Sequence, residues 1–294
     1  MLTAIGLSDA PVTAQVTESA VERDVVYGMF GGLALLMDVH RPEQPNGLGI
    51  VAVVGTAFHA GTSYDGPPMK EAPYQLGVFV TPLVAAGYTV FSINYRGTPA
   101  FRYPAPIQDA ERAVRFVRHN AARFGIASDR IGAVGASSGG YLASMLGVRA
   151  GSGDPADPDA INRGQGRVQA VVAFCPPTDL TGGFDAWGMS AMAAYIGSTR
   201  MPDPNSPEWK LYRDASPITS VTSDDAPVLL IHGDKDLTVP LEHSEKMAAA
   251  LKAASVATKL VRIPGAGHRM TPNPENIDFT TEMIRWFDAP LRGR

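Results

Sequence analysis

Ser137 stands in the run Val134-Gly135-Ala136-Ser137-Ser138-Gly139-Gly140-Tyr141, where a short apolar stretch passes into glycine and serine and then into a helical sequence. A serine with glycine two positions before and two after has the spacing of a nucleophile elbow, Gly135-x-Ser137-x-Gly139. A sharp strand-to-helix turn crowds the serine backbone, so the residues at those two positions must lack side chains. The helix beginning near Ser138 points unpaired N–H groups at the serine. A donor there can bind the oxyanion formed when an ester or amide carbonyl is attacked. A Gly-Ser-Gly sequence is more often only a turn, but here Arg130 to Val134 reads as strand and Tyr141 to Leu146 as helix, which is the setting the motif needs.

A serine hydroxyl is a poor nucleophile until a base takes its proton, so this chemistry also needs a histidine and a carboxylate to orient it. His268 ends the glycine-rich stretch Gly265-Ala266-Gly267-His268 after the last expected strand. Asp234 and Asp236 follow the apolar run Leu229-Leu230-Ile231, and the residues themselves leave both open as the acid. The chain order Ser, Asp, His is the one that accompanies the elbow. The other five histidines have plainer readings. His40 ends an early strand, His119 and His243 fall on helices, His232 braces its turn, and His59 sits in a long loop where it would line the pocket.

The elements that must carry these residues alternate. An expected hairpin, residues 24–28 and 34–40, turns at Gly31-Gly32. Gly49 to Val54 is a continuous apolar run of the kind buried on both faces of a parallel sheet. A loop from Thr56 to Pro73, a helix through Leu76 to Val84 and a strand at 88–93 follow. Ile107, Ala110, Val114 and Val117 recur at helical spacing, with Arg112, Arg115, Arg118 and Arg123 on the outward, solvated face and Gly125 as the stop. Further strands are expected at 168–174, 226–232 and 257–263, and helices at 241–254 and 275–287. Residues 176–225, rich in Phe184, Trp187, Tyr195 and Trp209, break the alternation and read as a small helical cap insertion, expected to close the pocket in part around Trp187 and Trp209. The fold class is therefore α/β, one domain over 1–294 with an extension at 1–23: a mostly parallel, doubly wound sheet of about eight strands with helices on both faces. Its site belongs at the carboxyl ends of the strands.

Composition agrees. The 294 residues are 45% hydrophobic and 18% charged, enough for one large core. The net charge of -4 contains no basic block, so nucleic acid is not an expected partner. No run approaches the roughly 20 apolar residues of a membrane span. The single cysteine, Cys175, rules out an internal disulfide framework and reads as a core residue. Residues 1–20 lack the basic start and apolar segment of a secretory signal, which gives a cytoplasmic expectation, with a mature secreted form as the alternative that reads the same way. No metal-ligand spacing is present, and no metal or organic cofactor is expected. Nothing in the sequence fixes an oligomeric state.

From Leu36 onward the chain resembles the esterase branch of the α/β-hydrolase superfamily, near bacterial carbohydrate acetyl esterases, feruloyl esterases and hormone-sensitive-lipase-like enzymes. The resemblance rests on Met37-Asp38-Val39-His40-Arg41-Pro42, Asn94-Tyr95-Arg96, Tyr103 to Asp109, Gly135 to Gly140, Ala215-Ser216-Pro217-Ile218, His232-Gly233-x-x-Asp236-x-x-Val239-Pro240 and Gly265 to His268. It implies an α/β-hydrolase fold and a Ser137–His268–Asp236 triad, since in this family the acid lies three residues before Val-Pro; Asp234 is left as a turn residue. Relatives carry His-Gly-Gly-Gly and an aromatic where this chain has Val54-Gly55-Thr56-Ala57-Phe58. The rest of the oxyanion hole is therefore expected from Thr56 or Ala57 N–H together with Ser138 N–H. The usual alanine after the nucleophile is Ser138 here, and its side chain is expected to be secondary.

These readings converge on a serine esterase, a carboxylesterase acting on small-molecule, short-chain esters through an acyl-enzyme. Acetylated or feruloylated carbohydrate falls within the range. The rivals are a prolyl-oligopeptidase-type serine peptidase, disfavoured by the 23 residues ahead of the first expected strand where such enzymes carry a large propeller, and a non-catalytic hydrolase-fold ligand-binding protein.

Overall fold

A computed structural model describes residues 20–61, 68–149, 151–198 and 204–293. The strands are β1 (Val21–Phe30), β2 (Leu33–His40), β3 (Gly49–Val53), β4 (Thr89–Ile93), β5 (Ile131–Ala136), β6 (Ala170–Phe174), β7 (Val228–Gly233) and β8 (Thr258–Ile263). The α-helices are α1 (Pro73–Gln75), α2 (Thr81–Ala85), α3 (Ala105–His119), α4 (Ala121–Phe124), α5 (Ser138–Val148), α6 (Ala186–Ile196), α7 (Pro207–Asp214), α8 (Glu242–Ala253) and α9 (Phe279–Leu291).

The strands form one sheet in the order β1-β2-β4-β3-β5-β6-β7-β8. The β1–β2 hairpin and the β2–β4 pair are antiparallel, and every pair from β4 to β8 is parallel. Both faces are covered, and the alternation of side chains shows it directly. Val51, Val53, Val171, Leu230 and their neighbours pack with Val114 and Val117 of α3, Leu142 and Leu146 of α5 and Met247 and Leu251 of α8. The intervening Ile50, Ala52, Val172, Leu229 and Ile231 pack with Leu83 of α2 and Met283, Phe287 and Leu291 of α9. Continuous apolar runs thus become strands whose two faces feed two separate cores.

From β3 the chain moves outward to β4 and then crosses back to β5 on the other side of β3. That reversal opens a crevice at the carboxyl ends of β3 and β5, where ligands bind in such sheets. Gly55 and Ser137 both lie there. A Cβ on Gly55 would fall 2.0 Å from the Ala136 carbonyl, so glycine is what lets the two loops approach.

Several resembling motifs turn out to be braces. Asp38 of β2 accepts from the buried Lys70 Nζ at 2.7 Å, Asn94 Oδ1 accepts from Lys70 N–H at 2.8 Å, and Arg96 forms a buried fork on Asp109 at the start of α3, its Nη2 2.7 Å from Oδ1. One expectation is corrected. Arg123 is exposed as expected, but Arg112, Arg115 and Arg118 are not a solvated face: they donate to Asn162 Oδ1 and to the carbonyls of Gly164, Gln165 and Arg167, pinning the 151–167 loop to α3. They lie on one side of α3 as their spacing dictates, but the loop that covers them is remote in sequence. Among the described residues no helix is long and apolar enough to cross a membrane.

Candidate active site

The elbow begins where β5 ends. Ser137 has φ 55° and ψ -125°, a conformation that side chains other than glycine rarely adopt. It is held by its N–H donating to Phe174 O at 2.9 Å and by its carbonyl accepting the Tyr141 N–H of the first helical turn. A Cβ on Gly135 would stand 2.3 Å from the Gly139 carbonyl, and one on Gly139 would stand 2.0 Å from the Val53 carbonyl. Both clashes are with backbone, which cannot step aside. The glycine spacing read from the sequence is therefore a steric necessity of this turn.

The acid and the histidine come from neighbouring loops after β7 and β8. Gly233 lets these loops meet, since a Cβ there would lie 2.3 Å from Ala266 O. Asp234 then fastens them by accepting the Gly265 N–H at 2.8 Å, the turn role expected of it. Asp236 is buried, and its Oδ2 lies 2.7 Å from His268 Nδ1. Its Oδ1 accepts the N–H groups of Thr238 and Val239, each at 2.9 Å. His232 Nε2 lies 2.8 Å from Val239 O and 3.3 Å from Asp236 Oδ2, so this histidine braces the acid loop. Burial by itself would raise the Asp236 pKa, but donation from His232, His268 and Val239 N–H overrides it and holds the carboxyl well below the usual range. Burial likewise would lower the His268 pKa, and the Asp236 carboxylate against Nδ1 outweighs it and raises it.

Among the described residues Ser137 Oγ has no hydrogen-bond partner. The structure therefore joins Asp236 to His268 but leaves the His268–Ser137 contact open, as is common before substrate tightens such a site.

The loop after β3 departs from expectation in detail. Thr56 N–H donates to Ser138 Oγ at 2.9 Å, so this donor is already engaged and the Ser138 hydroxyl is more than a bystander. Ala57, with φ 52°, lines the cleft beside Ser137 and Ser138, and its N–H has no acceptor among the described residues. Sequence reading missed Gln75, whose carboxamide grips both polar groups of Gly55, and Tyr95, whose hydroxyl donates to Val54 O at 3.1 Å. Tyr95 did belong to a resembling motif; Gln75 gave no signal.

The cleft encloses about 280 Å³ of empty space, part of it open to solvent, and its walls include Phe58, Pro177, Phe184, Trp187, Met192 and Val239. Trp187 is 57% exposed at this cleft. Trp209 is not part of it: it lies with Arg149, Lys210 and Arg213 on a separate groove, because α7 rather than α6 carries it. His59 is exposed, its Nδ1 2.7 Å from Thr98 Oγ1, and is not among the cleft residues. Cys175 is buried as expected, but at φ 39° just past β6, where its Sγ lies 3.5 Å from His268 O. Among the described residues Cys175, Asp236 and His268 bring donor atoms within 4.8 Å of one another, a cluster that sequence spacing concealed. The Asp236–His268 hydrogen bond already uses the facing donor and acceptor of that pair.

Residues 37–251 match the BD-FAE family. This span takes in Ser137 and Asp236 and stops before His268. The esterase LipQ of Mycobacterium tuberculosis is 31% identical over 254 residues, which cover 85% of this chain and 57% of LipQ. The chain spans little more than half the length of the curated relatives it matches. Among solved structures, a truncated form of a carbohydrate esterase from gut microbiota is 27% identical with a TM-score of 0.77, covering 95% of this chain and 99% of that one. The acetyl ester-xyloside bifunctional hydrolase from Caldicellulosiruptor lactoaceticus is also 27% identical, with a TM-score of 0.70 and 87% of each chain covered. With a matched segment covering most of the sheet, and an elbow and acid loop built as that fold requires, the chain belongs to the BD-FAE family, in the esterase branch of the α/β hydrolases.

Proposed function

We propose that this chain is a serine esterase that hydrolyses short-chain carboxylic esters by acyl transfer, with Ser137 as nucleophile, His268 as base and Asp236 as the group that orients it. The observation that carries the reading is the 2.7 Å contact between the buried Asp236 carboxylate and the half-buried His268 ring, at the same sheet edge as a serine held at positive φ. Asp236 accepts from Nδ1, which leaves His268 Nε2 as the lone pair for the Ser137 proton. Ser137 Oγ adds to the ester carbonyl, and the resulting oxyanion takes hydrogen bonds from the N–H of Ser138 and the N–H of Ala57. Collapse expels the alcohol, protonated by His268, and leaves an acyl-enzyme. Water deprotonated by His268 then releases the acid.

The small apolar cleft, with no charged side chain in its walls, favours a short, uncharged acyl group. We take residues 176–225 as a cap whose α6 closes that cleft. The relatives named for carbohydrate esters make an acetylated sugar a reasonable natural substrate, the sugar hydroxyl leaving as the alcohol, with Trp187 as the stacking surface.

The test is hydrolysis of p-nitrophenyl esters from acetate to long chains by the wild type and by Ser137→Ala, with folding checked by circular dichroism. Rapid cleavage of the short members and a loss of about 10⁴-fold or more in the variant are expected. An inert wild type, or an equally active variant, refutes the assignment. Cleavage of aminoacyl-proline amides with no ester turnover would point instead to the peptidase reading.

A further inference from the structure

We infer that the side chain of Ser138 is a positioning residue for the oxyanion hole, and that with Gln75 and Tyr95 it holds the β3 loop so that Ala57 N–H, not Thr56 N–H, is the second donor. This rests on the serine-esterase reading above and adds to it a role for three side chains.

Three consecutive backbone units of the loop are each gripped by a side chain from elsewhere in the chain. Tyr95 Oη donates to Val54 O at 3.1 Å. Gln75 Oε1 accepts the Gly55 N–H at 2.7 Å while its Nε2 donates to Gly55 O at 2.9 Å. Ser138 Oγ accepts the Thr56 N–H at 2.9 Å, and Ser138 is only 1% exposed. The far side of Ala57 is fixed as well: Phe58 O accepts the Thr98 N–H at 2.7 Å, and the Phe58 ring stacks on Tyr195 with centroids 3.8 Å apart.

A backbone N–H already given to a buried hydroxyl cannot also face a developing oxyanion. Thr56 is thereby removed from the hole. Two N–H groups beside Ser137 stay unclaimed among the described residues: Ser138, whose place at the first position of α5 leaves it without an intrahelical acceptor, and Ala57. The positive φ of both Ala57 (52°) and Phe58 (65°) turns this peptide out of the line of β3, and residues with side chains hold such angles only where their surroundings impose them. The Ser138 hydroxyl supplies part of that constraint. It acts through Thr56 and touches no substrate.

A positioning role predicts a particular kinetic signature. Donors aimed at the oxyanion act on the transition state more than on the bound ester, and small misplacements are costly. The experiment compares Ser138→Ala and Gln75→Ala with wild type on p-nitrophenyl acetate, and measures inhibition by a trifluoromethyl ketone, which forms the tetrahedral oxyanion on the nucleophile. Thermal melts confirm that the variants are folded.

The expected result is a kcat lower by roughly 10- to 100-fold in each variant, KM within about threefold, and ketone affinity weakened in step with kcat. A Ser138→Ala enzyme with wild-type kcat and ketone affinity overturns the inference and leaves the esterase reading intact. A change in KM alone overturns it too. Should Ser138→Ala fail to fold, Gln75→Ala decides by the same criteria. A wild type inert towards every ester sinks the esterase reading, and the inference with it, through a different readout.

Discussion

Asp236→Asn separates the chemical role of the acid from its structural one, because the hydrogen bonds around it dictate how the amide must sit. Asp236 Oδ1 accepts two backbone N–H groups, from Thr238 and Val239, each at 2.9 Å. Were the asparagine amide nitrogen placed there, it would set a donor against two donors in a buried loop, at a cost of about 1–3 kcal/mol for each group left unpaired. The carbonyl oxygen therefore takes the Oδ1 place, and the NH₂ takes the Oδ2 place, 2.7 Å from His268 Nδ1. There it can only donate, so Nδ1 becomes the acceptor and the ring proton moves to Nε2. The base is then in the wrong tautomer to accept the serine proton. The same exchange in a serine-protease triad lowers kcat about 10⁴-fold, or about 5.4 kcal/mol at 1.36 kcal/mol per tenfold. Since the two backbone bonds survive, and His232 Nε2 loses only its 3.3 Å contact with Oδ2 while keeping Val239 O at 2.8 Å, the melting temperature is expected to fall by only a few degrees. The assay is kcat/KM on p-nitrophenyl acetate at neutral pH, beside a calorimetric melt and the control Asp234→Asn, whose carboxylate accepts the Gly265 N–H. Asparagine at 236 retaining activity within tenfold, or Asp234→Asn causing the larger loss, would refute the assignment of the acid.

Three further outcomes are expected. The His268 pKa is raised by Asp236 and the imidazole must be neutral to act as base, so kcat/KM climbs with pH along a limb whose midpoint lies above 6.5; a pH–rate profile checks this, and a midpoint below 6.5 contradicts it. Gly139→Ala would place a Cβ 2.0 Å from the Val53 carbonyl and is expected to destabilise by more than the roughly 1–3 kcal/mol of ordinary overpacking, whereas Gly77→Ala, with nothing within 4 Å, changes stability by less than about 1 kcal/mol; urea titration distinguishes them. Trp187→Ala removes the exposed aromatic of the cleft, and if it stacks on aryl groups the KM for aryl-acyl esters rises roughly 2- to 10-fold while that for acetate holds.

The parts of this protein legible in the sequence are those governed by local rules. Apolar runs such as Gly49 to Val54 predict strands buried on both faces because their pattern has no polar side, and Gly135-x-Ser137-x-Gly139 predicts an elbow because its clashes involve residues two positions away. The order Ser, Asp, His follows from chain order alone. What the tertiary structure decided depends on atoms brought together from far apart. Asp234 and Asp236 are alike by local pattern; they differ because one faces Gly265 N–H and the other His268. The outward arginines of α3 become loop anchors because residues 151–167 fold over them, and Trp209 leaves the cleft because α7 points elsewhere. Thr56 N–H is engaged by a hydroxyl 82 residues away, and Cys175 Sγ comes within 3.5 Å of the His268 carbonyl, 93 residues away. Sequence patterns encode the periodicity of each element, while the pairing of individual polar atoms is set only when separate loops meet at one edge of the sheet.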